Sequence, residues 1–228
     1  MENLLSVFTT PATAIAGAME GKRWKAAFLI VLAAAAIFSY ISYPIVKVDQ
    51  ARLIRESPMA DKLPAEKLDS LEQFTPGQRI FGAVSAALFT GLVLLIATFF
   101  VYLFCKLGGI EGLFVHFFAA VSVASLIDVG AGGVVRTALM LAKKSMFVST
   151  GLAALFPSLP VQSLSYVILS QFDLFAFWYL AALALGIALF AKVSLKKVLI
   201  CIASFFLFKL VVTTALTYFS LKLTGMGS

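Results

Sequence analysis

Long apolar stretches with few charges alternate with short polar connections along the chain. Four stretches have about the 20 residues with which a helix crosses a bilayer core of about 30 Å; they are residues 26–46, 80–105, 174–191 and 198–221. A fifth, 113–142, is too long for one straight crossing at about 1.5 Å per residue. Its charged residues and glycines predict a spanning helix that is loosened near Gly130, Gly132 and Gly133.

Five crossings predict an all-α membrane protein, a bundle of five transmembrane helices. A chain exposed to lipid must satisfy its backbone hydrogen bonds internally, and no stretch alternates as a barrel strand does. Residues 1–25 are expected to form a cytoplasmic or interfacial segment with an N-terminal interfacial helix, or else a loose tail. Residues 26–228 form the five-helix domain, and the first apolar run is too long to be a cleaved signal peptide.

Two connections are long enough to carry structure of their own. The extracytoplasmic loop 47–79 predicts a short amphipathic helix over 65–74, with Leu68, Leu71 and Phe74 on one side. In the stretch 145–171, Pro157 and Pro160 separate two apolar pieces that are each too short to span. This stretch predicts either a re-entrant hairpin or, as the favoured interpretation, a cap on the outer end of the bundle.

Basic residues near the helix ends predict the orientation. With the N-terminus inside, the cytoplasmic ends carry Lys22, Arg23, Lys25, Lys106, Lys192, Lys196 and Lys197, and the outer ends carry Lys143, Lys144 and Lys222. The loop 47–79 weakens this argument, because in the same orientation its basic residues, mixed with acidic ones, lie on the outer side. The prediction is a cytoplasmic N-terminus and an outer C-terminus in a cell membrane.

Composition agrees with a membrane protein and excludes several classes. The 228 residues are 61% hydrophobic and 13% charged, whereas soluble domains are close to half apolar. The net charge of +7 lies mostly at helix ends, where it suits anionic lipid. No basic and aromatic surface of the kind that binds nucleic acid is visible.

Charged residues inside the predicted spans are the candidate functional residues. Lys209 lies about 17 Å into the last helix and Asp128 about 22 Å into the third, so the two are expected to pair. A second pair is expected between Arg136 and Asp173, where the third helix ends and the fourth begins. Such charges either line a proton or substrate path or fix the helix register, and the static role is favoured.

Constellations typical of enzymes are missing from the sequence. His116 is the only histidine, which excludes a multi-histidine metal site, and it is expected to be a polar residue near a helix end. Cys105 and Cys201 are expected to pack as small apolar groups. With no phosphate-binding glycine loop and no nucleophile elbow, the sequence predicts no enzyme, cofactor or metal.

The chain resembles the Yip1 domain of five-span membrane proteins. The resemblance rests on "CKLGGIEGLFVHFFAAVSVASL" and "QFDLFAFWYLAALALGIALFAKVSLKKVLI", with the N-terminal "FTTPATAI". The matching residues are Gly108, Gly109, Asp173, Phe175, Trp178, Gly186, Lys196 and Lys197, with Ser194 in the turn before the fifth span.

This resemblance implies a five-helix protein with a cytoplasmic N-terminus. In eukaryotes the family serves early secretory traffic and binds Rab-type GTPases through a longer N-terminal region. The segment 1–25 that precedes the first span here is too short for a folded domain. In this respect the chain resembles the prokaryotic members of the family, which are sometimes linked to exporters. The expected location is therefore a bacterial cytoplasmic membrane, or the endoplasmic reticulum or Golgi membrane in a eukaryote.

Two functional hypotheses follow. The favoured one is a non-enzymatic adaptor that organises membrane proteins or lipids, with an exporter as one expected kind of partner. The alternative is a small transporter or channel component that uses Asp128 and Lys209. Either hypothesis allows a homo-oligomer, since Gly82 with Ala86 and Ala182 with Gly186 recur at the spacing of closely packed helices.

Overall fold

Helices account for most of the chain in a computed structural model that describes residues 4–21, 23–57, 60, 63–161 and 163–224. In chain order the α-helices are α1 (Pro11–Glu20), α2 (Trp24–Arg55), α3 (Ala65–Ser70), α4 (Pro76–Leu107), α5 (Phe114–Ser125), α6 (Gly133–Lys143), α7 (Leu164–Ser170), α8 (Leu174–Ala191) and α9 (Leu195–Thr224).

Five helices among the described residues are long and apolar enough to cross a membrane. We call α2 the first span, α4 the second, α5 with α6 the third, α8 the fourth and α9 the fifth. The described part of the chain contains no strand, only an isolated bridge between Gly151 and Asp173. The predicted all-α bundle of five spans is confirmed.

The third span is interrupted in its middle, as its glycines predict. A seven-residue π-helix, Leu126–Gly132, joins α5 to α6 without a break in the backbone. Wide turns of this kind are rare and tend to occur at functional positions. Gly133, just after it, lies against the ring of Phe38 in the first span, where a Cβ atom would collide. The interruption therefore sits inside the bundle.

The N-terminal helix is present, and it packs against the helices of the bundle. Ile15 and Val7 are fully buried, and a Cβ atom on Gly186 of the fourth span would collide with Ile15. The ring of Phe8 meets Trp178 edge to face, with centroids 5.9 Å apart. Phe8 contacts Trp178, and Ile15 contacts Gly186 further along both segments. The N-terminal segment therefore runs alongside the fourth span in the same chain direction.

The connection between the first two spans is shorter than predicted. The first helix continues to Arg55 and the second begins at Pro76, so residues 47–55 and 76–79 of the predicted loop belong to the two spanning helices. A short helix does form, but it ends at Ser70, before Leu71 and Phe74; Leu68, Leu71 and Phe74 are half-buried. Arg55 pairs with Glu72, and Phe74 packs on Tyr43.

Residues 144–161 and 163–173 cover one end of the bundle, and we call them the capping segment. It contains a 3-10 helix, Leu152–Leu155, and the helix α7. Asp49, at the end of the first span, accepts hydrogen bonds from the hydroxyl of Ser145 at 2.9 Å and from the amide of Met146 at 2.6 Å. The favoured prediction of a cap agrees with these contacts.

Candidate functional site

Arg136 is the centre of a charge network beneath the capping segment. Its Nη2 atom lies 2.5 Å from Asp128 Oδ1 and 3.1 Å from Asp173 Oδ1. Its Nη1 atom donates to the backbone carbonyl of Asp128 at 3.3 Å. One guanidinium therefore connects the π-helix with the start of the fourth span. The predicted pair between Arg136 and Asp173 is confirmed.

The π-helix brings Asp128 and Arg136 together although they are eight residues apart. In a regular α-helix, residues three or four apart are the neighbours, and residues eight apart are about 12 Å apart along the axis. The wider turn shifts the register of the backbone. The long arginine side chain reaches back to the carbonyl and the carboxylate of the same residue.

Asp173 joins this network to the end of the fourth span. Its Oδ1 atom accepts hydrogen bonds from the amides of Phe175 at 2.8 Å and Ala176 at 3.2 Å, which is a helix N-cap. Its Oδ2 atom accepts a hydrogen bond from the hydroxyl of Thr150. Burial by itself raises the pKa of Asp173, but Thr150, Arg136 and these amides outweigh it and the pKa is lowered. This carboxylate is held in its charged form.

The predicted pair between Asp128 and Lys209 is wrong. No hydrogen bond or ion pair joins Lys209 to another residue in the described part of the chain, and Asp128 is paired with Arg136 instead. The predicted common depth does hold, since Asp128 and Lys209 line the same cavities. Arg136 reaches Asp128 from the same helix, whereas Lys209 comes from the fifth span.

Two adjoining cavities, one polar and one apolar, lie at this network and share lining residues, and together we call them the amphipathic cavity. The polar part, of about 190 Å³, is lined by the network and by Ser149, Ser170 and Gln171. The apolar part, of about 290 Å³, lies among the second to fifth spans and is lined by Phe89, Val93, Ala97, Leu180 and Phe205. Asp128, Ala176 and Lys209 line both parts, so the cavity is amphipathic.

Several of the residues that carry the family resemblance make packing contacts at the two ends of the bundle. Gly108 ends the second span, where a Cβ atom would collide with the sulfur of Cys201. Gly109 has a positive φ of 68°, and its carbonyl accepts a hydrogen bond from Lys197 Nζ at 3.0 Å, a backbone conformation that favours glycine. Phe175 lies beside Gly132 and under Arg136, whose Cζ is 5.9 Å from the ring centroid. Lys196 is exposed at the start of the fifth span.

The remaining candidates are structural in character. His116 Nδ1 accepts a hydrogen bond from the amide of Leu113 at 3.2 Å at the start of the third span, the position near a helix end that was expected. Cys105 and Cys201 are free, buried and adjacent to each other. Among the residues that the structure describes, no three His, Cys, Asp or Glu side chains are grouped so as to hold a metal ion. Lys22 and the side chain of Lys222 lie outside the described residues.

Sequence reasoning missed two residues at this end of the bundle, Asp49 and Thr150. Asp49 is only 1% exposed, although it lies three residues past the predicted end of the first span. A lone carboxylate beyond a span resembles an ordinary loop residue. Thr150 both donates to Asp173 and accepts from Arg136 Nε at 3.4 Å, and no sequence pattern distinguishes it from other threonines.

Fold and site together define a helical multi-pass membrane protein with an internal charge network and an amphipathic cavity. Comparison with family models, with curated proteins and with solved structures finds no match. The Yip1 resemblance accordingly stays a prediction, and the functional argument depends on the chain's own geometry.

Proposed function

We propose that the chain is a non-enzymatic multi-pass membrane protein of Yip1 type that acts as an adaptor for membrane protein complexes. It would lie in a bacterial cytoplasmic membrane with the capping segment outside. Its expected partners are membrane lipids and another membrane protein, of which an exporter is one kind, or a second copy of the chain.

The observation that carries this proposal is the closed network around Arg136. The arginine is satisfied by Asp128 and Asp173, and Asp173 is in turn fixed by Thr150 and two helix amides. Groups that are each held by several partners stabilise one arrangement of helices, and this favours a static scaffold over a moving proton relay. The second span offers a long face for lipid or a partner helix, with Leu88, Leu92 and Ile96 exposed.

Site-specific photo-crosslinking in native membranes tests the adaptor proposal. A photoreactive phenylalanine analogue at Leu92, which is 53% exposed, should capture a defined protein at a stoichiometric level. The same analogue at Phe117, which is fully buried, is the matched control and should give only intramolecular products. Lipid adducts alone from Leu92, and likewise from Leu88 and Ile96, would contradict the proposal for this face.

Transport is the second candidate, because Asp128 and Lys209 line one cavity. Ionisable residues inside a membrane beside an irregular helix are typical of conduction paths. If the cavity conducts protons, purified protein in vesicles should dissipate an imposed pH gradient, and Asp128→Asn should abolish this flux while the protein stays folded. Equal rates for wild type, Asp128→Asn and protein-free vesicles would exclude proton conduction.

A further inference from the structure

We propose that the amphipathic cavity binds the head group of an aminophospholipid, with the phosphate at Lys209 and the ammonium at Asp128. This ligand site is independent of the adaptor proposal and would exist whether or not a protein partner does. The argument rests on the unused polar groups, on the charge balance of the cavity and on the place where its apolar part reaches the surface.

Three polar groups in the cavity have hydrogen-bonding capacity to spare. Lys209 and the side-chain amide of Gln171 make no hydrogen bond to another described side chain or backbone group, although both line the polar part. Asp128 uses Oδ1 for Arg136, and its Oδ2 atom has no partner among the described residues. The cavity therefore presents a cation, a neutral donor and a free carboxylate oxygen.

The charge balance selects a zwitterion over a simple anion. Arg136 carries one positive charge against the two carboxylates of Asp128 and Asp173, which leaves the network with an excess of one negative charge. Lys209 brings the lining to neutrality. A simple anion would add an uncompensated charge at low dielectric, whereas a phosphate with an attached ammonium adds none.

A lysine at this depth without an ion pair to any described residue also requires a polar partner. Insertion scales assign a penalty to such a charge at the centre of a membrane helix. Charge-assisted hydrogen bonds to phosphate are among the strong ones in proteins. A phosphate beside Lys209 offsets the cost of placing the charge in this position.

The apolar part of the cavity identifies the ligand as a lipid. Phe89 and Val93 of the second span line it and are 67% and 44% exposed, so the cavity reaches the surface that faces the acyl chains. Its two parts together fall within the size range of about 300–1,000 Å³ that ligand cavities occupy. A head group in the polar part thus has an apolar route along which its chains continue into the bilayer.

Native mass spectrometry of the delipidated full-length protein tests this inference. The probes are phosphatidylethanolamine, phosphatidylcholine and phosphatidylglycerol with identical acyl chains. Phosphatidylethanolamine should bind most tightly, because phosphatidylcholine has no ammonium hydrogen to donate to Asp128 and phosphatidylglycerol has no ammonium. Equal binding of the three lipids, or tighter binding of phosphatidylglycerol, would overturn the proposal.

Matched variants separate the cavity from the rest of the surface. Lys209→Gln should weaken phosphatidylethanolamine binding about tenfold or more, as expected for the loss of one charge-assisted hydrogen bond, and Lys209→Arg should retain it. Asp128→Asn should remove the preference for phosphatidylethanolamine over phosphatidylcholine, a ratio that a merely structural loss would not change. Lys143→Gln removes an exposed charge from the end of the third span and should leave binding unchanged. A loss with Lys143→Gln as large as that with Lys209→Gln would overturn the assignment.

Two further measurements locate the ligand and its source. Ala97→Phe, which fills the apolar part, should reduce binding of all three lipids, and full binding by this variant would place the lipid elsewhere. Soluble phosphoethanolamine should compete only weakly. If it binds as tightly as the lipid, the ligand is a soluble zwitterion and the lipid assignment fails.

Discussion

Arg136 of the third span donates a hydrogen bond to Asp173, the residue that caps the fourth span, across 3.1 Å. The same arginine holds Asp128 in the π-helix, so the backbone irregularity and the helix cap share one guanidinium. Arginine suits this position because its planar group presents five donors in a fixed geometry.

Replacing Arg136 should destabilise the bundle. Breaking a buried ion pair costs about 3–5 kcal/mol, and since Arg136 and Asp128 are each about a third exposed, we expect roughly 1–3 kcal/mol for Arg136→Met. Arg136→Lys should retain only part of the stability that Arg136→Met loses, because an ammonium cannot contact both carboxylates with the same geometry. Thermal unfolding in detergent measures both values. Equal stability of Arg136→Met and wild type would show that the network contributes nothing.

Replacing Lys209 should have a much smaller effect on the same measurement. Lys209→Met removes a side chain with no ion pair to a described residue, so we expect a change below about 1 kcal/mol in delipidated protein. A loss with Lys209→Met as large as that with Arg136→Met would indicate that Lys209 is a direct partner of Asp128, contrary to the geometry.

Gly186 should tolerate no larger side chain while Ile15 is present. A Cβ atom there collides with the Cβ and Cγ2 atoms of Ile15, and overpacking of this kind costs about 1–3 kcal/mol. Gly186→Ala should therefore lower the unfolding temperature, and the drop should be smaller when it is made in an Ile15→Gly background, which lacks both of these atoms. Gly130→Ala is the matched control, since an added Cβ atom at Gly130 meets nothing within 4 Å. A loss in Gly130→Ala as large as that in Gly186→Ala would contradict the packing argument.

Acid should weaken the network through Asp173. The pKa of Asp173 in the fold lies below its ordinary value of 3.8, so the carboxylate stabilises the fold fully above that ordinary value. This contribution is lost as the pH falls from 3.8 through the lowered pKa. Asp173→Asn keeps a helix-capping side chain but does not titrate, and its unfolding temperature should vary less in that window. Parallel curves for the two proteins would assign the acid sensitivity to other groups.

The elements of the fold follow from the sequence where one local pattern decides them. The apolar runs give the five spans, and the glycines after Asp128 give the loosened third span. The partner of Asp128 could not be predicted from the sequence, because counting residues along a helix gives the depth of a side chain but not the direction in which it points around the helix axis. Lys209 lines the same cavity as Asp128, but Arg136 reaches Asp128 first through the wide turn. The burial of Asp49 depends on the capping segment, which local patterning does not position.

The π-helix makes the third span sensitive to the number of its residues as well as to their identity. Each residue of an α-helix turns the chain by about 100°. Deleting one residue from Leu126–Gly132 would favour regular α-helix and rotate the half of the span that carries Arg136 by about that angle. The guanidinium would then leave both carboxylates with every charged residue still present. A single extra residue in the third span thus determines the rotation of Arg136 about the helix axis, on which the charge network depends.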